Sequence, residues 1–376
     1  MFVHIYQTGR SQIKHNSPAS SAGFERQEGA NRFYNLSVAT IGEIARQLGV
    51  SVSTISAVVN GRGYVSPAMR ARVEQALEQA QYRPNDMARG LRLGRSHTIG
   101  LIVPDLTNSF FARLMRGAED YLASLRYRLL IADSREEWAR QREYLISFAG
   151  RKTDGILLVP CRSTDGQVAT IPQLVGTTPL VFVDRSPLNP TGDSVLADNV
   201  RAGYAATNHL LELGHRRIAI LSEPLDLLNG ADRLEGYKKA LRARRVALDR
   251  NLIRFGGDTE DSGYWCGLEL FKQIPPPTAV VVCNNLMTLG LLGALRDAGL
   301  ECPRDVSIVG FDDFEWCPHL SPPLSMVRVP AAELGSAAAK ALMRRLRGAQ
   351  RQSPESVLLP AELILRKSTA SPREPG

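Results

Sequence analysis

The hydrophobic and polar positions of the chain follow two different patterns, one before about residue 95 and one after it. Between residues 40 and 82 the apolar side chains recur at helical spacing, and glycines interrupt them at short intervals. After residue 97, short apolar runs alternate with amphipathic stretches such as 110–125 and 201–213. The first pattern predicts a small all-α unit, and the second predicts a larger α/β unit.

Capping residues delimit two helices of the all-α unit. Thr40 and Glu43 have the spacing of a capping box, and Gly49 ends the helix that they begin. A later helix begins with Ser66 as N-cap and Pro67 in the first turn. With the segment between them, these elements predict a three-helix unit.

The segment between these two helices, VSTISAVVN, predicts a second helix with two unlike faces. Ile55, Val58 and Val59 fall at helical spacing and are expected to pack on the first helix. The opposite face carries small side chains: Val52, Ser53, Ser56, Ala57 and Asn60. A helix, a tight glycine turn and a second short helix are typical of a helix-turn-helix, which presents its second helix to the DNA major groove. A small helical linker or docking domain is the alternative.

Nine short apolar runs indicate the strands of the α/β unit. They fall at 98–105, 128–134, 155–161, 179–185, 194–199, 217–224, 252–257, 279–285 and 306–313. Runs that are apolar throughout and separated by amphipathic helices predict doubly wound parallel sheets. The runs form two blocks, before and after about Asp198, so we expect two similar lobes with a ligand cleft between them.

The charge of the chain is concentrated toward its N-terminal end. Its 46 Lys and Arg exceed its 38 Asp and Glu, which gives a net charge of +8. Between residues 38 and 95, eight arginines occur with only four acidic residues. A basic helical unit of this kind fits a polyanionic partner such as DNA.

The composition also indicates the cell compartment and whether a disulfide, a metal site or a membrane span is to be expected. The five cysteines are odd in number and form no C-x-x-C pair, so we expect no disulfide framework, no metal site and a cytoplasmic setting. No apolar run is long enough for a membrane span, and we expect no membrane association. Residues 1–37 show no sustained period and are predicted to be a disordered extension, with a misassigned start of the chain as the alternative.

Catalytic motifs are missing from the sequence. No G-x-G-x-x-G follows the first strand, and neither a P-loop nor a G-x-S-x-G elbow occurs. His209, His215 and His319 have no partner at the spacing of a triad or a ligand set. We therefore expect no enzyme, no catalytic residue and no cofactor. A periplasmic sugar receptor would share the two lobes, but it should carry a signal peptide and lack the basic helical unit.

The stretch ATIGEIARQLGVSVSTISAVVNGRGYVSPAMRARVEQALEQAQYRPNDMARGLR resembles the headpiece of the LacI/GalR family of bacterial transcription regulators. The shared core is formed by Val50, Ser51, Thr54, Ser56, Val58 and Asn60. The resemblance extends from about Val38 to Lys367 and implies a periplasmic-binding-protein-like core behind the headpiece. The implied domains are a helix-turn-helix domain at 38–83, a hinge at 84–95, an effector-binding and dimerisation domain at 96–368 and a tail at 369–376. Within the effector domain, the N-lobe spans 98–198 plus 331–357 and the C-lobe 199–328 plus 358–368.

The resemblance also implies DNA contacts. Val52, Ser53 and Ala57 match base-reading positions, while Thr54, Ser56 and Asn60 match positions that contact the phosphate backbone or set the helix on it. In the hinge, Asn85 and Arg89 match DNA contacts, and Leu91 matches an apolar wedge that enters the minor groove. Without the family, the hinge segment would be interpreted as a plain linker.

Seven residues match the effector site of the family: Phe110, Phe111, Asp184, Asp198, Arg233, Asn284 and Asp312. Arg233 and Asp312 match clamps for hydroxyl or carboxylate groups, although each of the seven also suits an ordinary loop or cap position. Leu227 and Leu228 stand where purine-binding relatives have polar or basic residues, which argues against a purine and for a sugar, a sugar acid or a similar polyol.

The resulting prediction is a homodimeric repressor of a catabolic or transport operon. It binds a pseudo-palindromic double-stranded operator, and a small effector between the lobes controls this binding allosterically. Induction and corepression both remain open. No heptad repeat follows Leu365, so we expect no C-terminal coiled coil.

Overall fold

The computed structural model describes residues 40–61, 63–82, 95–151, 153–348 and 354–373. The chain divides into two compact units, residues 1–84 and 85–376. The predicted N-terminal extension, 1–37, and the predicted hinge residues Asn85, Arg89 and Leu91 lie outside the described residues.

The first unit contains the three predicted helices, α1 (Ile41–Leu48), α2 (Val52–Asn60) and α3 (Pro67–Gln79). The predicted capping box between Thr40 and Glu43 is present, and Gly49 and Gly61 end α1 and α2 with left-handed φ values of 65° and 60°. A small core joins the helices and contains Ile44, Ala45, Ile55, Val58, Val73 and Ala76. The low intrinsic helix propensity of α2 is therefore offset by packing of one face.

The second unit contains two six-stranded sheets, one in each lobe. The strands are β1 (Thr98–Val103), β2 (Arg128–Asp133), β3 (Gly155–Leu158), β4 (Leu180–Val183), β5 (Asp193–Ala197), β6 (Ile218–Ser222), β7 (Ile253–Phe255), β8 (Ala279–Val282), β9 (Ser307–Phe311), β10 (Ser325–Arg328), β11 (Ser356–Leu359) and β12 (Glu362–Ile364). Their orders are β11-β5-β4-β3-β1-β2 and β12-β10-β9-β8-β6-β7. All pairs are parallel except β10 with β12. The predicted doubly wound parallel sheets are confirmed.

Helices cover the sheets and connect successive strands. They are α4 (Ser109–Ser124), α5 (Trp138–Gly150), α6 (Asp165–Val168), α7 (Ile171–Val175), α8 (Asn199–Glu212), α9 (Leu228–Ala243), α10 (Glu260–Phe271), α11 (Asn285–Asp297) and α12 (Ala331–Leu346), with short 3₁₀ turns at Arg250–Leu252 and Cys317–His319. The chain passes between the lobes after β5, after β10 and after β11. The last passage falls at residues 360–361, slightly later than the sequence-derived boundary at 357, because Leu358 and Leu359 still pair with β5.

Two features differ from the sequence-based prediction. Strand β2 was expected to be buried on both faces, but it forms an edge of its sheet and leaves Leu130 and Ile131 exposed to 37% and 43%. Strands β10, β11 and β12 were not predicted as apolar runs, since they are short and two of them lie at sheet edges. No helix in the described part of the chain is both long and apolar enough to cross a membrane.

Candidate functional site

The outer face of α2 presents small polar and apolar groups. Val52 is 49% exposed and Ser53 is also exposed, whereas Ile55 on the opposite face is fully buried. The Ser51 hydroxyl caps α2 by accepting from the Thr54 backbone N–H at 3.1 Å, and it lies 2.9 Å from the Thr54 hydroxyl. Thr54 therefore helps to form the N-terminal cap of α2. A hydroxyl at the start of a helix can also contact a phosphate of the DNA backbone, as predicted for this residue.

Three further predicted contact residues lie along the same helix. Ser56 and Ala57 are half-buried, and Asn60 is the last residue of α2 with a side chain outside the described part. A surface of such short side chains lets a helix approach base edges closely in the major groove. The described geometry is thus the one that the helix-turn-helix prediction requires.

A cavity of about 510 Å³ lies between the two lobes of the second unit, where strands of both sheets end. Phe110 and Phe111, at the start of α4, form one apolar wall, with their rings edge to face at 5.3 Å. Asn108 precedes them as the N-cap of α4. A cavity of this size is within the range of small-molecule sites.

Charged side chains dominate the rest of the cavity wall. Three are arginines, Arg135, Arg185 and Arg233. Seven are carboxylates: Asp105, Asp133, Glu136, Asp184, Glu223, Asp258 and Asp312. The excess of carboxylates makes this a site of many hydrogen-bond acceptors.

Arg185 connects the two lobes across the cavity. It follows β4 and donates to Glu136 of its own lobe at 2.5 Å, while its other terminal nitrogen lies 3.4 Å from Asp258 of the opposite lobe. The guanidinium also lies 5.7 Å from the ring centre of Phe111. Arg185 is buried, and the surrounding carboxylates hold its pKa above the usual value despite desolvation.

Arg233 is held in the second lobe by three protein acceptors. Its Nε donates to Asn199 at 2.8 Å, and its Nη1 donates to Glu223 at 3.2 Å and to the backbone carbonyl of Cys283. None of these bonds uses Nη2. The guanidinium also stacks 4.6 Å from the ring centre of Phe311.

A glycine allows α8 to approach the helix that carries Arg233. A Cβ atom on Gly203 would lie 2.3 Å from the backbone oxygen of Arg233, so no larger residue fits there without a shift of the backbone. The close crossing of α8 and α9 fixes the position of Arg233 at the wall of the cavity.

Amide side chains complete the cavity and join the lobes. Asn284 caps α11 by accepting from the Met287 N–H at 2.8 Å, and it donates to Asp258 at 3.0 Å. Asn108 and Asn285, which belong to opposite lobes, exchange amide hydrogen bonds in both directions at 3.2 and 2.9 Å.

Burial perturbs the acidity of the cavity carboxylates. Desolvation raises the pKa of Asp184 to about 7, because burial outweighs the attraction of Arg185 and Arg233. Burial also raises the pKa of Asp258 and Asp312, against the attraction of the same arginines. The pKa of Glu223 is raised in the same direction by burial, although the Arg233 guanidinium opposes the shift.

Two acceptor atoms in the cavity wall have no hydrogen-bond donor within the described chain. They are Oδ1 of Asp312 and Oδ1 of Asn229, and both are inaccessible to bulk solvent. The amide nitrogen of Asn229 is occupied, since it donates to Glu223 at 3.0 Å. A buried acceptor without a donor costs free energy, so a ligand that donates to these atoms gains affinity.

The structure brings six of the seven predicted effector residues to this cavity: Phe110, Phe111, Asp184, Arg233, Asn284 and Asp312. Asp198 is not among the lining residues. Its carboxylate caps α8 by accepting from the Arg201 N–H at 3.0 Å, because β5 leads into this helix after a single residue.

Leu227 and Leu228 do not line the cavity either. Leu227 is buried and pairs with Pro187, and the Leu228 N–H donates to the Ser186 carbonyl at 3.0 Å. The sequence-based argument against a purine rested on these two side chains, and the structure gives it no support.

Sequence reasoning missed several polar residues of the wall: Glu136, Arg185, Glu223, Asn229 and Asp258. Glu223 and Asp258 follow β6 and β7 closely, so their place after the carboxyl ends of strands was a signal that could have indicated them. Arg185 is the last residue of the predicted apolar run at 179–185. Glu136 lies in a turn with left-handed φ, which carries no sequence signal of its own.

Within the described residues, no group of three or more His, Cys, Asp or Glu side chains is placed to hold a metal ion. The five cysteines are all free.

A helix-turn-helix unit joined in one chain to a two-lobed domain with a polar ligand cavity defines the class of ligand-controlled DNA-binding proteins. The model of "bacterial regulatory proteins, lacI family" matches residues 40–85, and that of the periplasmic binding protein-like domain matches residues 207–369. The chain belongs to the lacI family of bacterial transcription regulators.

Individual relatives match over nearly their whole length. The chain is 34% identical to the ribose operon repressor of Haemophilus influenzae over 334 residues, which are 89% of this chain and 99% of the relative. It is 32% identical to the HTH-type transcriptional repressor PurR of Vibrio atlanticus over 310 residues, 82% of this chain and 92% of the relative. The lac repressor dimer bound to operator and the anti-inducer ONPF superposes with a TM-score of 0.80 at 26% identity, covering 88% of this chain and 99% of the other.

Proposed function

We propose that this protein is a cytoplasmic repressor of a catabolic or transport operon, which binds a pseudo-palindromic operator as a homodimer. Its operator affinity is controlled by a neutral sugar bound in the cavity between the lobes. The observation that carries this proposal is the cavity wall, which combines an aromatic surface with two buried acceptors that lack donors, Asp312 Oδ1 and Asn229 Oδ1.

A sugar matches the chemistry of this wall. Its ring has an apolar face that suits Phe110 and Phe111, and its hydroxyls donate to acceptors such as Asp312 Oδ1 and Asn229 Oδ1. Hydroxyls also accept from guanidinium groups such as that of Arg233. The 34% identity to a ribose operon repressor supports the same class of ligand.

The charge of the wall favours a neutral sugar over a sugar acid. Seven carboxylates outnumber three arginines, and two of those arginines already form ion pairs with Glu136, Asp258 and Glu223. An added ligand carboxylate would therefore lie among a majority of carboxylates, with only Arg135 outside these ion pairs to balance its charge.

A purine is the second candidate, because the repressor named PurR matches this chain about as well as the ribose operon repressor does. The two phenylalanine rings suit a heterocycle, and the amide oxygen of Asn229 can accept from the N–H groups of that heterocycle. A purine carries fewer hydrogen-bond donors than a sugar for the buried acceptors Asp312 Oδ1 and Asn229 Oδ1, which favours the sugar.

DNA recognition is assigned to the first unit and the segment that follows it. Val52, Ser53 and Ala57 read bases, and Thr54, Ser56 and Asn60 hold α2 on the phosphate backbone. Asn85 and Arg89 contact DNA from the hinge, and Leu91 opens the central base step. Because the reading side chains are short, part of the specificity comes from deformation of the DNA.

Exposed apolar side chains of the second unit support the homodimer. Leu130 and Ile131 lie on edge strand β2 of the first lobe, while Phe255 and Trp265 of the second lobe are 50% and 64% exposed. A second copy of the chain would cover both patches and remove them from water.

A ligand screen by thermal shift tests the proposal directly. The full chain is heated with ribose, glucose, galactose and cellobiose, with the corresponding sugar acids ribonate and gluconate, and with hypoxanthine and guanine. We expect a neutral sugar to raise the midpoint of unfolding and its acid to raise it less. A shift with a purine and with no sugar would reverse the ligand assignment. Gel retardation with promoter fragments tests DNA binding separately.

A further inference from the structure

Exposed arginines collect at one edge of the first sheet, at the end opposite the ligand cavity. We call this surface the arginine edge and define it by Arg95, Arg126, Arg151, Arg344 and Arg347, all exposed. Arg95, Arg126 and Arg151 precede strands β1, β2 and β3, and the other two lie in or just after the last turn of α12. In a parallel sheet the amino ends of all strands meet at the same edge.

Contacts between these segments confirm that they lie together. The Arg128 N–H donates to the His97 carbonyl, and the Asp154 N–H donates to the Thr98 carbonyl, at 2.9 and 2.8 Å. Arg95 reaches the end of α12, where its Nη2 lies 3.4 Å from the Leu346 carbonyl oxygen.

The acidic residues at this edge are occupied by other partners. Asp154 accepts from the Ser96 and His97 backbone N–H groups, and Asp193 is bound by Arg345. Glu355 lies 3.9 Å from Arg344. Within the described part of the chain, Arg126, Arg151 and Arg347 form no ion pair. The arginine edge therefore carries a net positive charge.

The corresponding edge of the second sheet carries both paired cations and cations without an ion pair, since Arg245, Arg250 and Lys272 form none within the described residues. There Arg217 is paired with Asp249 at 2.8 Å, and Arg304 is paired with Glu301 and Asp305. The two lobes share one topology, but the chain from the first unit enters the second at Arg95, which belongs to the edge of the first sheet.

The chain also connects the arginine edge to the DNA-binding unit. Twelve residues separate Tyr82, the last described residue of the first unit, from Arg95, which begins the described part of the second. The first unit is therefore joined to the second through a residue of the arginine edge itself. We propose that the arginine edge binds the phosphate backbone of the DNA held by the first unit, in addition to the contacts made by the first unit and the hinge.

Arginine suits this task because its planar guanidinium binds phosphate oxygens in a bidentate manner. Such contacts add affinity without reading sequence. Each contact should release counterions, so the arginine edge contributes to the salt dependence of binding.

The test reverses three charges at the arginine edge in the full chain. The variant Arg126→Glu, Arg151→Glu, Arg347→Glu is compared with a matched control, Arg245→Glu, Arg250→Glu, Lys272→Glu, at exposed positions of the second lobe. Both variants change the net charge equally. Binding to an operator duplex and to an unrelated duplex is measured by fluorescence anisotropy across a series of salt concentrations, and circular dichroism verifies folding.

We expect the arginine-edge variant to lose at least 10-fold in affinity for both duplexes at 0.1 M salt. Its slope of log K against log salt concentration should be smaller in magnitude by about 1 or more, and its preference for the operator should stay unchanged. The control should stay near wild type. A wild-type slope in the arginine-edge variant, or an equal loss in the control, would overturn the proposal. Failure of the wild type to bind any duplex would instead contradict DNA binding itself.

Discussion

Asp184 and Asp312 occupy equivalent positions in the two lobes and face the same cavity. Asp184 follows β4 with φ 64°, and Asp312 follows β9 with φ 65°. The backbone N–H of each donates at 2.9 Å to the neighbouring strand, at Val195 and Val327 respectively. The left-handed backbone turns each carboxylate out of its strand, and Asp is one of the few non-glycine residues that accept it readily.

Asp184→Asn should change how stability depends on pH. The pKa of Asp184 is raised by burial to about 7 in the folded protein, from 3.8 in an unfolded chain. Between these values the folded state holds a proton that the unfolded state has released, so this group lowers stability as pH rises from about 4 to 7. Asn stays neutral and tolerates the left-handed backbone. We expect the variant to gain on the order of 2–4 kcal/mol relative to wild type between pH 4 and pH 8.

Urea denaturation of both proteins at a series of pH values measures this difference. Asp198→Asn is the control, since Asp198 caps a helix outside the cavity. A difference between Asp184→Asn and wild type that does not vary with pH would show that Asp184 titrates normally.

Asp312→Asn should weaken effector binding while the fold remains intact. The variant keeps the shape and the backbone conformation, but it removes the charge from the buried acceptor Oδ1 that has no protein donor. Loss of one charge-assisted hydrogen bond predicts a 10- to 100-fold decrease in effector affinity by isothermal titration calorimetry.

Asp198→Ala tests whether Asp198 acts as a helix cap or as a residue of the effector site. Loss of this cap should reduce the free energy of unfolding by about 1 kcal/mol. Effector affinity should stay at the wild-type value, because Asp198 does not line the cavity. A similar loss of affinity in both aspartate variants would place Asp198 back in the effector site.

Ala57→Arg should change the DNA sequence that the protein prefers. Ala57 lies on α2, away from the buried face formed by Ile55 and Val58, and a long guanidinium there can reach the acceptors of guanine. Selection from a random duplex library should return a different consensus for the variant. The same consensus for both proteins would show that this face of α2 does not meet base edges.

Leu91→Ala should weaken operator binding without altering the effector site. An apolar side chain that opens a base step in the minor groove stabilises the bent DNA, and alanine is too short to do so. A fluorescence titration should show at least a 10-fold loss for the operator, together with unchanged effector affinity. Operator binding at wild-type strength would exclude the wedge.

The helical unit was predictable from local signals. Thr40 with Glu43, Gly49 and Ser66 each specify a helix end through their own chemistry, and the three apolar residues of α2 specify its inner face. Nine of the twelve strands were predictable, because short apolar runs separated by amphipathic helices are typical of buried strands, whereas β10, β11 and β12 were not predicted. The exposure of β2 was not predictable either, since edge position depends on strand order.

Six cavity residues were predictable from strand ends and the family pattern, but their partners were not. Asp198 also follows a strand, yet its carboxylate turns to cap α8. Arg185 meets Glu136 and Asp258, which are distant in sequence and belong to different lobes. No local sequence pattern encodes a contact between residues so far apart in the chain.

The sequence by itself therefore determined the elements of this protein, the helix-turn-helix surface and the class of regulator, because these depend on periodicity, caps and short motifs. The tertiary structure alone decided which carboxylates are buried, which arginines balance them and which acceptors are left for a ligand. The physical reason is that hydrogen bonding and desolvation depend on distances between residues far apart in the chain, and these distances are set only when the two lobes come together.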